Sequence, residues 1–527
     1  ALAVVAPGVA LRRARDRARW GALTGGFYDG GRSGRRGLRS WLPGGGSADR
    51  DLIPEIQDLR QDTRGLARTT PIARAALNRV ATHVIGAGLH LQPQIDREFL
   101  ALDDAAADAW EAAAAREFAL WALSRNADAT GHQTFFGLQD LVFRGVLESG
   151  DDFVVRRRIP RPDSPYGLAF QVFEADQVSN PQGKIEGRPL GNGNRLAGGV
   201  ETDRNGRAVA YWFERDHPGS LTIGGQRLWS RVTAFGPGSG RLAVKHLFHR
   251  RRIGQSRGEP MLAPVIEPLK QLGRYTEAEL FAAVIGAMVT VVYKSGSGGQ
   301  LQNIDPDEAA TSQGESDRDY EMAPGTVMEF FADDDIQVPS VGRPNSAFDP
   351  FFVAVVRQIG AGLEIPFEVL IQHFTASYSA SRAALEAFWQ VVRRQRAWFA
   401  EDFCQWAYGE FLVEAVALGR LEAPGFFADP ALRQAWSGAE WIGPARLSID
   451  PLKENQADAI AEDRGWKTAA EITREKTGGD WARKNKRRGR EQALRIEAGV
   501  AASAPAAEPQ TIPDDGDRPE DETEEAS

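Results

Sequence analysis

Three shifts in hydrophobic rhythm predict an α+β, multi-domain fold for this 527-residue chain. Apolar side chains recur at helical spacing over residues 53–123, alternate at strand spacing over 153–249, and return to helical spacing from Met261 to about Leu418. A 42% hydrophobic share at this length supports several cores, on the order of three domain-sized units.

Residues 1–51 are rich in Arg and Gly with scattered aromatics, which reads as an arm that orders only against a neighbour. Helical patterning begins over 53–66 and resumes over 71–84, where Pro71 takes the tolerated first-turn position, until Gly86 and Gly88 break it. The Ala-rich stretch 103–123 predicts the next helix, with Trp110, Phe118 and Trp121 packing a core. Four strand-like runs, DDFVVRRR, LAFQVF, AVAYWFER and LAVKHLF, then predict a β-rich module divided by turns such as Asn205-Gly206. GNGNRLAGG at 191–199 lacks the third glycine of a dinucleotide loop and the Gly-Lys-Ser/Thr of a P-loop, so a plain turn is expected there.

The stretch 261–287 reads mainly as helix, with Pro264 and Pro268 near its start and Thr276 and Glu279 spaced as a capping box. A polar insert over 294–319 and strand-like runs at 325–331 and 336–339 lead to Asp349-Pro350. That pair is expected as N-cap and first residue of a helix over 351–359, ended or bent by Gly360 and Gly362. Leu385, Phe388, Val392, Phe399, Phe403, Trp406 and Val413 keep three-, four- and seven-residue spacings. They form one stripe that packs within its own subunit or meets another. Asp450-Pro451 opens a helix that Gly465 stops, and Thr468 with Glu471 forms a capping box for the next. Residues 501–527, Ala/Pro-rich and then Asp/Glu-rich, are expected to be disordered because they have almost no apolar side chains to bury.

The single cysteine, Cys404, allows no intrachain disulfide and, inside an aromatic helix, is expected to be a small buried apolar residue. A net charge of −9 argues against a dedicated sequence-specific DNA binder, and the basic clusters at 12–19, 32–39, 250–257 and 483–490 read first as solvated faces. The uncharged run 280–293 falls short of the roughly 20 residues of a membrane span. The first residues lack the continuous apolar segment of a secretory signal. No P-loop accompanies the chain, so ATP-driven motor chemistry is not expected. His246 and His249 have neither an HExxH motif nor a Cys pair beside them, and read as strand or turn histidines. Asp333, Asp334 and Asp335 offer the carboxylates that metal-dependent phosphodiester chemistry needs, but adjacent acids in one loop seldom converge on one ion, and a solvated turn is expected. No catalytic residue, cofactor or metal is expected.

The most informative stretch is IPFEVLIQHFTASYSASRAALEAFW, residues 365–389, which joins a loop of aromatic and hydroxyl side chains to a long amphipathic helix. Gln372, His373, Phe374, Thr375, Ser377, Tyr378 and Ser379 can touch phosphates or bases weakly without a fixed charge. This stretch resembles the signature of lambda-type phage portal proteins: an Ile-Pro-Tyr/Phe-Glu-x-Leu segment, a loop ending in Asn-Tyr-Ser-Ser, and an Arg-Ala helix. It departs from that signature at His373, where the family usually carries an acid, and at Ser377, where it carries Asn. WIGPARLSIDPLKENQADAIAEDRG at 441–465 resembles the family's Trp-x-Gly-Pro and Asp-Pro-x-Lys-Glu pattern. RTTPIARAALNRVATHVIGAGLHLQ at 68–92 resembles its Arg-x-x-Pro-x-Ala helix and following Gly-x-Gly-Leu strand.

The resemblance implies one subunit of a ring, usually of twelve, that sits at one capsid vertex of a virion and forms the channel through which double-stranded DNA is packaged and ejected. Assembly would take place in the host cytoplasm. It implies an arm (1–51), a wing (52–257), a stem helix (258–292), a clip (293–341) and a second stem helix (342–363). After these come a DNA-contacting tunnel loop (364–380), a helix returning through the wing (381–449), a helical crown (450–500) and an acidic tail (501–527). The implied partners are other copies of the chain, DNA in the channel, the terminase large subunit, head-tail connector proteins, and the major capsid protein with its scaffold. The readings from other classes are a metal-dependent nucleic-acid-processing enzyme using Asp333 to Asp335, and a structural ring that conducts no DNA.

Overall fold

The computed structural model describes residues 45–181, 184–220, 227–288, 291–294, 327–330, 347–373, 377–446 and 450–499. The expectations for residues 1–44, most of the polar insert, the run 336–339, Asp333 to Asp335 and the tail 501–527 lie outside these.

The chain enters through α1 (Ala48–Leu52), capped by Ser47, whose Oγ accepts from Arg50 N. The helix expected over 53–66 is instead α2 (Ile56–Thr69), because a turn intervenes first. Next comes α3 (Pro71–Val84), with Pro71 in the first turn as its spacing predicts. β1 (His90–Pro93) pairs antiparallel with the distant β11 (Ala439–Ile442), His90 standing opposite Ile442. α4 (Asp104–Ala122) is capped by Asp103. It buries Phe118 and Trp121, and the indole N–H of Trp121 donates to Leu168 O at 2.9 Å. Trp110 packs half-buried against Trp436, ring centroids 4.9 Å apart. α5 (Phe135–Ser149) has no counterpart in the expectations; Thr134 caps it and Gly150 ends it.

The β module forms as two sheets. In the first, β2 (Asp151–Arg158) lies between β3 (Leu168–Phe173) and β8 (Val244–Phe248), antiparallel to both. The second runs β4 (Arg195–Ala197), β5 (Val200–Thr202), β6 (Ala208–Glu214), β7 (Trp229–Thr233), again antiparallel. Alternation along β2 decides which core each residue joins. Val154 enters the large helical core, whereas Phe153 and Val155 pack with Tyr211, Phe213 and Val244 of the smaller one. The stretch 191–199 is a turn followed by β4, with the amides of Asn192 and Asn194 bonded to Glu201.

A short 3-10 turn (Ala263–Val265) leads into one continuous α6 (Ile266–Met288). Thr276 therefore caps nothing: it lies inside the helix and its Oγ1 donates back to Leu272 O at 2.9 Å. β9 (Val291–Lys294) pairs in parallel with β10 (Val327–Phe330). α7 (Phe348–Gly362) starts ahead of its expected position, with Ala347 at the cap. Asp349 sits in the first turn instead, where a carboxylate complements the helix dipole.

After α8 (Phe367–Ile371), α9 (Tyr378–Phe399) continues through a π-turn (Ala400–Cys404) into α10 (Gln405–Ala417). The apolar stripe packs within its own chain, with Phe388, Val392, Phe399 and Phe403 buried. The wider π-turn rotates the buried face, so Tyr408, Phe411 and Leu412 carry it onward while Trp406 and Val413 pack at its edge. Cys404 is buried, and burial pushes its thiol well up. α11 (Pro430–Trp436) precedes β11. Asp450 caps α12 (Pro451–Asp463), and the Thr468–Glu471 capping box opens α13 (Ala469–Thr477), both as expected. α14 (Trp481–Glu497) completes the described chain.

Candidate nucleic-acid interface

The candidate loop is held at both ends by features its sequence dictates. On the incoming side, Ile365 N donates to Gly360 O at 2.9 Å. A Cβ on Gly360 would meet Ile365 O at 2.5 Å, so this close turn requires glycine. Pro366 then stands at the cap of α8, whose Val369 and Leu370 are buried, and α8 packs on α3. Glu364 and Gln372, flanking α8, both adopt left-handed backbone (φ 57° and 56°). Each such conformation costs on the order of 1 kcal/mol in a residue with a side chain. Two sharp reversals within nine residues thus throw the chain outward after Ile371.

On the outgoing side, Ser377 caps α9, its Oγ accepting from Ala380 N and lying 3.2 Å from Ser379 Oγ. The middle and last turns of α9 are then clamped to the body. Phe388 meets His83 edge-on at 5.2 Å. Arg396 donates to the carbonyls of His83 and Val84 and lies over the Trp389 ring at 5.1 Å. Glu386 pairs with Arg446, tying α9 to the segment after β11.

Between these anchors Gln372, His373, Ser377 and Ser379 are exposed. Tyr378 begins α9. Phe374 and Thr375 lie outside the described residues. The described part of the loop therefore presents neutral donors and acceptors at the mouth of a rigid helix, an arrangement suited to many weak contacts.

A second feature lies on the neighbouring hairpin. α6 packs against α7, with the Tyr275 ring 4.8 Å from Phe351 and 5.6 Å from Phe348. Leu280 and Phe281 nevertheless remain 66% exposed, Phe351 50% and Val284 43%. Spacing does not single these four out, and the uncharged run 280–293 is the sequence signal that points toward three of them, Leu280, Phe281 and Val284. Large apolar side chains left exposed on two packed helices are the kind of surface that a contact with another molecule covers.

A third feature fixes the base of this hairpin to the β module. Asp151 is fully buried and receives Arg257 Nε at 2.6 Å, Arg60 Nη2 at 2.7 Å and Gly258 N at 3.0 Å. His246 Nε2 lies 3.1 Å from the same carboxylate. Burial alone would raise this carboxyl, but Arg257, Arg60 and His246 together hold it well below the usual range. Arg60 is lowered to about 10 by burial and by the nearby Arg257 charge. The cluster reading of 250–257 as a solvated face therefore fails at Arg257, whose guanidinium also donates to the carbonyls of Ala175, Val178 and Gly198. His246 belongs to this hub, while His249 stacks near Trp398 at 3.9 Å, so the two do not share an ion.

Glu174, Asp176 and His217 do bring three ligand atoms within 4.8 Å of one another. However, His217 Nδ1 accepts from Gly219 N at 3.0 Å, which places the ring proton on Nε2, the atom facing both carboxylates. Arg60 and Arg64 also pair with Asp176. The trio is built as an ion-pair cluster, since a metal-bound ring needs its second nitrogen to donate. Among the described residues no helix is long and apolar enough to cross a membrane.

Comparison with known proteins covers two of the three sequence patches, 68–92 and 365–389, within the family model's match. The family model described as phage portal protein, lambda family, matches residues 34–396. The chain is 26% identical over 467 residues to portal protein B of Escherichia phage lambda, covering 84% of this chain and 85% of that one. Identity to the portal protein of Escherichia phage N15 is 26% over 476 residues, with 84% and 85% covered. A probable portal protein of Halomonas phage phiHAP-1 matches at 24% over 440 residues, with 79% of each chain covered. Among solved structures, a chain from the neck of a native GTA particle aligns with 15% identity over 78% of this chain and 92% of that one, at a TM-score of 0.37.

Proposed function

The chain belongs to the lambda family of phage portal proteins, and from that premise we propose how its parts act in a capsid portal. Copies close into a ring at one vertex of the virion, usually of twelve, and double-stranded DNA passes through the central channel during packaging and ejection. The observation that carries the ring is the exposed apolar patch on α6 and α7, formed by Leu280, Phe281, Val284 and Phe351. Packed head to tail against the next copy, such a patch makes a heterologous contact, which closes into a ring when the rotation between neighbours divides a full turn.

The loop Gln372, His373, Phe374, Thr375, Ser377, Tyr378 and Ser379 lines the channel in this reading. One neutral loop from every subunit surrounds the duplex, so contacts are numerous and individually weak, and DNA slides rather than sticks. The domain layout is then arm 1–51, wing 52–257, stem 258–292 and 342–363, clip 293–341, loop 364–380, return 381–449, crown 450–500 and tail 501–527. The clip docks the terminase large subunit during packaging and head-tail connectors afterwards, while the major capsid protein and scaffold surround the ring. The family is a structural one, and this reading assigns the chain no catalytic step.

The test uses the double variant Phe374→Ala/Tyr378→Ala. Rings should still form when counted by negative-stain electron microscopy, and particles should contain less DNA than wild type. Wild-type DNA content would remove the loop from the mechanism, and a wild-type chain that never forms rings would remove the portal assembly itself.

A further inference from the structure

α14 is a 17-residue helix with no buried residue, as are α12 and α13 before it. Its sequence WARKNKRRGREQALRIE carries seven Lys and Arg against two Glu. Arg483, Lys486, Arg487 and Arg490 stand at i, i+3, i+4 and i+7, which aligns them along one face over about 10 Å of helix. All four are exposed. Arg487 pairs with Glu491 at 3.0 Å, an i,i+4 contact in which both side chains stay mostly solvated. Arg483, Lys486 and Arg490 have no ion-pair partner among the described residues. A helix that buries nothing and concentrates cations on one side gains little from its own chain, so it is built to meet an anion.

The shape of the face narrows the anion. It is the outer surface of one helix that buries none of its residues, a row of charges rather than a recessed seat of the kind that holds a peptide's anchoring side chains. A regular polyanion needs only the charges: duplex DNA presents a phosphate for about every 1.7 Å of its axis, so a row of guanidinium and ammonium groups about 10 Å long has several phosphates within reach. We propose that the Arg483, Lys486, Arg487 and Arg490 face of α14 binds the phosphate backbone of double-stranded DNA without regard to sequence. This is a contact separate from the loop at 372–379, and it rests on the portal reading only for the presence of DNA. The chain's own rival anion is residues 501–527, which hold nine Asp and Glu against one Arg.

The experiment compares the full-length wild type with the variant R483Q/K486Q/R487Q/R490Q, titrating a fluorescent random-sequence duplex of about 30 base pairs across salt concentrations. Losing four phosphate contacts should flatten the slope of log affinity against log salt by about 3.6. Equivalently, the wild type should lose roughly 150-fold more affinity than the variant between about 50 and 200 mM salt. An unchanged slope overturns the proposal. Failure of the duplex to bind while a synthetic peptide of residues 501–527 binds assigns the face to acidic peptide and overturns it as well. Loss of rings in the variant alone would make the face an interface between copies, also overturning it. A wild type that forms no rings but shows the salt-steep, variant-sensitive binding would sink the portal assembly and leave this contact standing.

Discussion

Around Asp151 and at the far end of the α6/α7 hairpin, the molecule handles polarity in opposite ways. The first region buries charge completely and satisfies it: one carboxylate, two guanidinium groups, an imidazole and a backbone N–H join α2, β2, β8 and the entry to α6. The chain approaches itself so closely there that a Cβ on Gly150 would meet Gly258 backbone at 2.5 Å. The second region leaves large apolar side chains in solvent, with Leu280 and Phe281 two-thirds exposed. A buried ion cluster contributes less to net stability than to fixing one geometry, because desolvation offsets much of the Coulomb gain. An exposed apolar patch contributes nothing to the isolated chain and stabilises only a contact. The comparison teaches that one end of the hairpin is set within the subunit, while the other keeps apolar surface that the proposed ring would cover.

The largest effect should come from Asp151→Asn. It leaves Arg257 buried without a carboxylate partner and Arg60 with only Asp176 at 3.4 Å, and should cost about 3–5 kcal/mol in denaturant unfolding of the chain. Because the folded carboxyl is held below its unfolded value of about 3.9, its contribution is full above that pH and is lost as pH falls through the depressed folded value. Wild-type stability should therefore drop on acidification more steeply than that of the variant, and parallel pH profiles would show that the hub is not ionised. Asp152, the next residue, should behave oppositely. It is fully buried, and burial pushes its carboxyl well above the ordinary value, with Phe153 N as a hydrogen-bond donor at 2.9 Å. A raised group contributes stability that is present below the unfolded value and lost as pH rises through the folded one. Asp152→Asn should then gain about 1–3 kcal/mol at neutral pH. A loss at pH 7 would mean that Asp152 is stabilised as an anion.

The difference between these regions also explains what the sequence could reveal. Local signals survived well: Pro71 placed α3, Asp450-Pro451 placed α12, and Thr468 with Glu471 opened α13, because each acts within one turn of helix. α5 was within reach of the sequence: Phe135, Leu138, Val142, Phe143, Val146 and Leu147 keep i, i+3, i+7, i+8, i+11 and i+12 spacing on one buried face, and the exposed Leu141 on the opposite side blurs the stripe. Thr276 and Glu279 had capping-box spacing inside a helix that continues on both sides, and local spacing carries no knowledge of what precedes it. The hub was invisible for a different reason. Arg60 and Arg257 lie 91 and 106 residues from Asp151, so only the fold brings them together. At the loop, the cap at Ser377 is local chemistry, whereas its rigid footing depends on Arg396 reaching the carbonyls at the end of α3.

The smallest expected change in stability is at the assembly end, where it is also the most informative. Phe281→Glu replaces a side chain that is 66% exposed in the chain alone, so unfolding of the unassembled subunit should shift by no more than about 0.5 kcal/mol. If the patch is covered in the ring, the same substitution buries a carboxylate against apolar surface once per subunit, and repeated around a closed ring this penalty multiplies. The variant should therefore keep the wild-type denaturation midpoint as a single chain, yet sediment as monomer or small oligomer at concentrations where wild type sediments as rings. Rings of normal symmetry from Phe281→Glu would place the subunit contact elsewhere and leave the patch free for a different protein. A loss of stability in the monomer would instead show that Phe281 packs within its own chain more closely than its exposure implies. Only the combination of an unchanged subunit and a failed ring assigns the apolar end of the hairpin to the neighbour.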